Sequence, residues 1–118
     1  MILDEFTPNS LYEMSNFGPC ITGLPPSITL WVRTETKQLP QSNYSVKVEK
    51  HNQYAAIFSV GQNPSLLKQS NKNKLTANEI SDIADFIENY SSLIISHIDG
   101  KLDSGELTLE ILKIRGST

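Results

Sequence analysis

The sequence contains few of the residues from which small-protein sites are most often built. It has one cysteine and two histidines. A single cysteine cannot form an intramolecular disulfide, and it excludes a zinc site made of several cysteines. Cys20 is interpreted as a small, semi-buried apolar residue and not as a nucleophile, because no histidine lies near it in the sequence.

Long apolar runs are also missing. No stretch approaches the roughly 20 residues needed to cross a bilayer. The segment Met1–Phe6 has neither the basic leader nor the apolar core of a signal peptide. The sequence therefore predicts a cytoplasmic protein without membrane association. Its 118 residues suit one domain with one hydrophobic core.

Known catalytic signatures are absent from the sequence. It contains no glycine-rich phosphate loop, no nucleophile elbow and no His-Glu-x-x-His motif. Its carboxylates cluster on one predicted helix instead of converging from separate elements, so acid–base catalysis has no obvious machinery. These features predict a protein that is not an enzyme and that uses no cofactor.

Charge is distributed unevenly along the chain, although the net charge is only −3. Residues 28–75 carry seven basic and two acidic side chains, whereas residues 76–118 carry eight acidic and three basic ones. Complementarity between the two regions is the simplest interpretation. The alternative is a nucleic-acid-binding sheet face, although arginine, which such surfaces favour, is scarce. Its candidate residues are Lys37, Lys47, Lys50, Lys72 and Lys74.

The middle of the chain has the alternating pattern of half-buried β-strands. Residues 1–27, rich in glycine and proline, are predicted to form an irregular arm. Residues 28–70 are predicted to form the sheet, with a hairpin connection at His51-Asn52-Gln53 and a short edge strand at Leu66-Leu67. The apolar positions of the first two strands are Ile28, Leu30 and Val32, followed by Tyr44, Val46 and Val48.

Helical periodicity begins at Thr76, which with Glu79 forms a capping-box sequence. Apolar residues then recur at helical spacing, which predicts one long helix over 76–98. Residues 104–114 fit a short helix or a strand, and the helix is favoured. The predicted fold class is α+β: a small curled antiparallel sheet packed on one long helix in the C-terminal half, plus a short C-terminal helix.

Two weak chemical patterns lie at the end of the long helix. Asp99, Asp103 and Glu106 have the spacing of the second half of an EF-hand calcium loop, but Ile95 stands where the first oxygen ligand belongs. These three residues are the candidate metal ligands. His97 and Asp99 form a His-x-Asp triplet, which gives a minor hydrolase or nuclease hypothesis. A histidine in the last helical turn is also favoured by the helix dipole alone.

The order of several short motifs resembles a functionally unassigned family of small bacterial and phage proteins. The matching segments are Thr22-Gly23-Leu24-Pro25, Thr29-Leu30-Trp31-Val32, Ser45-Val46-Lys47-Val48, Lys74-Leu75-Thr76, Asp99-Gly100-Lys101-Leu102-Asp103 and Glu106-Leu107. The resemblance implies a curled sheet against a main helix and a short C-terminal helix. It also implies a link to toxin–antitoxin pairs or host defence, since some relatives are suspected members of such pairs.

The leading functional hypothesis is a non-catalytic protein-interaction module, with another protein or a second copy as its partner. Its predicted contacts are in the polar N-terminal arm and in the connection Thr34–Asn43, at Gln41, Ser42 and Asn43, because partners tend to engage loops held by a rigid scaffold. Relatives in the resembled family often carry a histidine or basic residues there, which this chain does not. Nucleic-acid binding and hydrolysis remain the alternatives.

Overall fold

The computed structural model describes residues 13–34 and 44–116. In these ranges the chain is an α+β protein with a five-stranded antiparallel sheet and four helices, which confirms the predicted class. The strands are β1 (Glu13–Phe17), β2 (Ile28–Thr34), β3 (Ser45–Lys50), β4 (Gln53–Ser59) and β5 (Leu66–Gln69). The helices are α1 (Pro19–Thr22), α2 (Ala77–Asn89), α3 (Ser91–Ile98) and α4 (Ser104–Gly116). Among them, none is both long enough and apolar enough to cross a membrane.

The sheet is a simple meander in which each strand pairs with the next one in the sequence. His51 and Asn52 connect β3 to β4 with positive φ angles of 56° and 63°. Two left-handed residues form the tight turn that matches the twist of a hairpin. The predicted hairpin connection and the edge strand at Leu66 are both confirmed.

One face of the sheet carries the hydrophobic core. Leu30 of β2 lies opposite Val48 of β3, which lies opposite Ala56 of β4, and all three are buried. The even-numbered residues of β3 point toward this face. Two hydrogen bonds made from this side of the sheet therefore place α2 and α3 over it. Lys50 bonds Glu79 of α2, and Tyr44, just before β3, bonds Asp99 at the end of α3.

The prediction of an irregular arm over 1–27 is wrong for residues 13–22. Glu13–Phe17 is a strand that pairs with β2, and Pro19–Thr22 is a short helix. The sequence Glu-Met-Ser-Asn-Phe has no clear alternation of apolar residues, so its extended conformation depends on backbone pairing with β2, which is not visible locally. Residues 1–12 of the predicted arm lie outside the described residues.

The prediction of one continuous helix over 76–98 is also wrong, because α2 and α3 are separated at Tyr90. The Ser91 hydroxyl lies 2.6 Å from the carbonyl oxygen of Ile87 and 2.6 Å from that of Gly61. A serine that bonds back to the carbonyl four residues earlier bends a helix. The break therefore coincides with a polar contact between the helices and the loop after β4.

Residues 104–116 are helical, so the helix interpretation of this segment is confirmed and the strand interpretation is wrong. The N-terminus of this helix has a reciprocal cap formed by Asp103 and Glu106. The Glu106 amide donates to Asp103 Oδ1 at 2.8 Å, and the Asp103 amide donates to Glu106 Oε1 at 3.0 Å. Leu107 and Ile111 are buried, and they fix one side of α4 to the core.

Candidate functional site

The predicted basic residues do not form one uniform surface in the part of the chain that is described. Lys50 Nζ lies 2.9 Å from Glu79 Oε1, and Lys47 Nζ lies 3.9 Å from Glu49 Oε2 with its side chain only 14% exposed. Lys72 and Lys74 are exposed in the loop before α2. Lys37 lies outside the described residues. Of the predicted basic residues that the structure describes, Lys72 and Lys74 are therefore the exposed pair.

The three predicted partner-contact residues, Gln41, Ser42 and Asn43, also lie outside the described residues. Cys20 is exposed, so its interpretation as a semi-buried apolar residue is wrong. The very short helix α1 does not cover this side chain.

The candidate metal ligands have other partners. Asp103 and Glu106 cap α4, and Asp99 accepts a hydrogen bond from Tyr44. No group of three or more histidine, cysteine or acidic side chains suited to a metal ion occurs in residues 13–34 and 44–116. Calcium binding at these positions stays a prediction without added geometric support.

His97 lies in the last turn of α3, as predicted, but it is 1% exposed. Its Nδ1 atom is 2.9 Å from the Leu102 carbonyl oxygen, and its ring meets the Phe17 ring edge-on with the centroids 6.1 Å apart. Its Nε2 atom is buried and has no hydrogen-bond partner within the described part of the chain. Asp99, the other member of the triplet, is engaged by Tyr44. This is the environment of a core histidine, and it does not bring His97 and Asp99 together around an open space.

The Tyr44–Asp99 hydrogen bond joins the sheet to the end of α3 across 55 residues of sequence. Tyr44 is 5% exposed. Burial, together with the hydrogen bond to Asp99 and the charge of that carboxylate, raises the pKa of Tyr44 to about 12. The phenol therefore stays protonated and continues to donate at neutral pH.

The start of α2 is fixed by a second polar cluster. Thr76 and Glu79 form the predicted capping box, and Lys50 reaches the same carboxylate from β3. Burial raises the pKa of Glu79, but hydrogen bonds from Lys50 and Thr76 and the charge of Lys50 outweigh burial and lower it. Lys50 thus has a structural role in holding the helix to the sheet.

Two unpaired polar atoms lie on the sheet face opposite the helices. They are Trp31 Nε1 and Ser45 Oγ, both buried, and neither has a hydrogen-bond partner among residues 13–34 and 44–116. Trp31 of β2 lies opposite Lys47 of β3, two residues along from Ser45 on the same face.

Helix α4 is anchored at its C-terminal end as well as at its cap. Arg115 Nη1 donates to the carbonyl oxygens of Cys20 at 3.2 Å and Ile21 at 2.5 Å. Beside them, Gly23 ends α1 with a φ of 74°, and an added Cβ atom there would lie 2.9 Å from Arg115 Nη2. Capping, burial of Leu107 and this guanidinium contact together hold α4 in one position.

The side of α4 that faces away from the core is also apolar. Leu109 is 59% exposed and Leu112 is 41% exposed. Gly105, Leu109, Leu112 and Gly116 follow each other at intervals of four, three and four residues, which places them on one helical stripe. The α4 outer surface is defined here as this stripe with the exposed residues at its edge: Gly105, Glu106, Leu109, Leu112, Lys113 and Gly116.

Charged residues flank this apolar stripe on one side. Glu106 and Lys113 lie three residues before and four residues after Leu109, which places both on the same edge of the helix. Lys113 also forms an ion pair with Glu110 at 3.2 Å, and the Lys113 side chain is 70% exposed. The α4 outer surface is thus a leucine stripe beside Glu106 and Lys113, and Glu110 lies next to Lys113 at the same edge.

Comparisons of this chain with family models, with curated proteins and with solved structures find no match. The site is therefore defined by geometry alone.

Sequence reasoning did not find the α4 outer surface. The signal was present, because a helical interpretation of 104–114 places Leu107 and Ile111 on one side and Leu109 and Leu112 on the other. Those apolar residues also made the strand interpretation plausible, and this obscured the second apolar side of the helix.

Proposed function

We propose that the protein is a non-catalytic interaction module that binds a protein partner through the α4 outer surface. The observation that carries this proposal is the pair of exposed leucines, Leu109 and Leu112, on a helix whose opposite side is fixed in the core. Exposed apolar side chains that form a continuous stripe on a rigid element are typical of helix-mediated recognition.

The rigidity of α4 supports the same function. A partner that binds a preformed helix does not have to order it, so less binding free energy is lost on association. The capping pair at Asp103 and Glu106 and the Arg115 contact provide that order before binding. The action of such a module in the cytoplasm, as part of a toxin–antitoxin or defence system of bacteria or phages, belongs to this proposal and rests on the family resemblance.

Affinity capture with matched variants tests this function. The unmodified chain is expected to recover a stoichiometric protein, either heterologous or a second copy of itself. Leu109→Lys with Leu112→Lys should abolish recovery, because two charges would be buried in the contact. Leu67→Lys is the matched control, since Leu67 is a 55% exposed leucine on β5. Equal recovery by all three proteins, or recovery of no partner by the unmodified chain, would contradict the proposal.

Nucleic-acid binding is the second candidate, and the exposure of Lys72 and Lys74 beside the exposed Lys68 of β5 favours it. Binding through these lysines would weaken steeply as salt rises, because each phosphate contact releases a counterion. A gel-shift series at increasing salt, with Lys72→Ala and Lys74→Ala for comparison, tests it. Absence of binding at low salt would remove this candidate.

A further inference from the structure

We infer that the occupant of the α4 outer surface is a second copy of this chain, packed antiparallel about a two-fold axis beside α4. This inference rests on the proposed function and names its partner. The argument depends on the order of residues along the helix, which is nearly symmetric about its centre.

The apolar stripe is complementary to itself when one copy is reversed. A two-fold axis that passes between Leu109 and Leu112 places Leu109 of one copy opposite Leu112 of the other. The same axis places Gly105 opposite Gly116. Added Cβ atoms would find nothing within 4 Å at Gly116, and only Asp103 Oδ1 at 3.4 Å at Gly105, so the backbone at both ends of the stripe is open to close approach. The two leucines would form the centre of the contact.

The charges are complementary under the same operation. In an antiparallel helix pair on a two-fold axis, equivalent edges of the two helices lie side by side. Glu106 and Lys113 share one edge, and Glu106 precedes the axis by 4.5 residues whereas Lys113 follows it by 2.5. At roughly 1.5 Å per residue the offset between Glu106 of one copy and Lys113 of the other is about 3 Å along the helix, which these long side chains span. The two-fold axis therefore produces two interhelical ion pairs, each between Glu106 of one copy and Lys113 of the other. In a parallel two-fold pair the charged edges would lie on opposite flanks of the contact, and these ion pairs would not form.

The contact is small, which sets an expectation for its strength. One side of a helix of 13 residues covers much less than the roughly 800 Å² per partner of a stable complex. We therefore expect a dimer whose population depends on protein concentration, with association weakened by salt because the flanking ion pairs are exposed.

Charge reversal with complementation tests the arrangement. Lys113→Glu leaves two acidic groups facing two acidic groups in a homodimer, and Glu106→Lys leaves two basic groups facing two basic groups. Sedimentation velocity at low salt should show that each variant alone associates about tenfold more weakly than the unmodified chain. An equimolar mixture should recover association, because every contact between the two variants is again of opposite charge.

Matched controls separate charge from folding. Lys101→Glu and Glu88→Lys reverse exposed charges outside α4 and should associate like the unmodified chain. Glu106 also caps α4, so Glu106→Lys is expected to lose the stability that this contact provides, and a melting curve measures the loss. Misfolding of one variant would not be repaired by adding the other.

The outcomes distinguish the two levels of the proposal. An unmodified chain that stays monomeric over the whole accessible concentration range would overturn the second copy as the occupant. If the lysine variants of Leu109 and Leu112 nevertheless lost a heterologous partner in affinity capture, the interaction function would stand with a different partner. A dimer that tolerates both charge reversals would overturn the antiparallel geometry.

Discussion

At the scale of single residues, one buried hydroxyl links the sheet to the helices. Tyr44 precedes β3, and its hydroxyl donates to Asp99, which follows α3. The pKa of the phenol is raised from 10.0 to about 12 by burial and by Asp99. Because the folded-state pKa is the higher one, the protonated phenol stabilises the fold fully below pH 10, and this contribution is lost as the pH rises toward 12.

Tyr44→Phe is expected to lower the free energy of unfolding by about 1 kcal/mol at neutral pH, because it removes one hydrogen bond to a charged group that water can still reach. Between pH 10 and 12 the unmodified protein should lose stability more steeply than Tyr44→Phe, since only the former contains this phenol. Urea unfolding across the pH range measures both effects. Parallel pH profiles for the two proteins would contradict the assignment.

At Gly23, both the backbone conformation and a neighbouring side chain oppose a larger residue. Its φ of 74° is unfavourable for a side chain, and a Cβ atom would lie 2.9 Å from Arg115 Nη2. Gly23→Ala is expected to cost about 1–2 kcal/mol in the free energy of unfolding.

Gly18→Ala provides the comparison for Gly23, because Gly18 has a φ of −89° and nothing lies within 4 Å of its added Cβ atom. A change within about 0.5 kcal/mol is expected there. Thermal melts of both variants check the pair, and equal losses would contradict the strain assigned to the left-handed conformation of Gly23.

At the scale of elements, the strands with alternating apolar residues were predictable from the sequence. Burial of Ile28, Leu30 and Val32 follows directly from period two. The strand β1 was not predictable, because its residues gain their extended conformation from pairing with β2 and not from their own pattern. Local sequence therefore identifies strands that bury one face and misses strands that depend on a neighbour.

The separation of α2 from α3 could not be predicted for a related reason. Apolar residues continue at helical spacing across Tyr90, as in Ile87 and Ile94, and both of these are buried. The break depends on Ser91, whose hydroxyl reaches Gly61 in a loop 30 residues earlier. The same limit applies to the site: the Tyr44–Asp99 contact and the Arg115 anchor join residues far apart in sequence.

The N-terminus of α2 supplies a prediction at this scale. Thr76 accepts from the Glu79 amide at 3.1 Å, and the Thr76 amide donates to Glu79 at 2.8 Å. Thr76→Ala removes the accepting hydroxyl and is expected to cost about 1 kcal/mol. Asn78→Ala, at an exposed position of the same turn, should change the free energy of unfolding by less than about 0.5 kcal/mol. Urea unfolding compares them, and equal effects would argue against the cap.

At the scale of the whole molecule, stability and binding are assigned to opposite sides of one helix. The inner side of α4 buries Leu107 and Ile111 in the core, and the outer side exposes Leu109 and Leu112. The sequence places the same type of side chain on both sides, so composition cannot separate the two roles. The two roles are separated by the packing of α4 against α1 and α3, which decides which side of the helix is buried.

The most direct test compares the two sides of α4 in unfolding and in association. Urea unfolding at low protein concentration should show that Leu107→Ala or Ile111→Ala costs about 2–5 kcal/mol, because each leaves a cavity in the core. Leu109→Lys with Leu112→Lys should change the free energy of unfolding by less than about 0.5 kcal/mol and abolish association in sedimentation velocity. A large loss of stability in the outer-surface variant with unchanged association would contradict the assignment of that surface to binding.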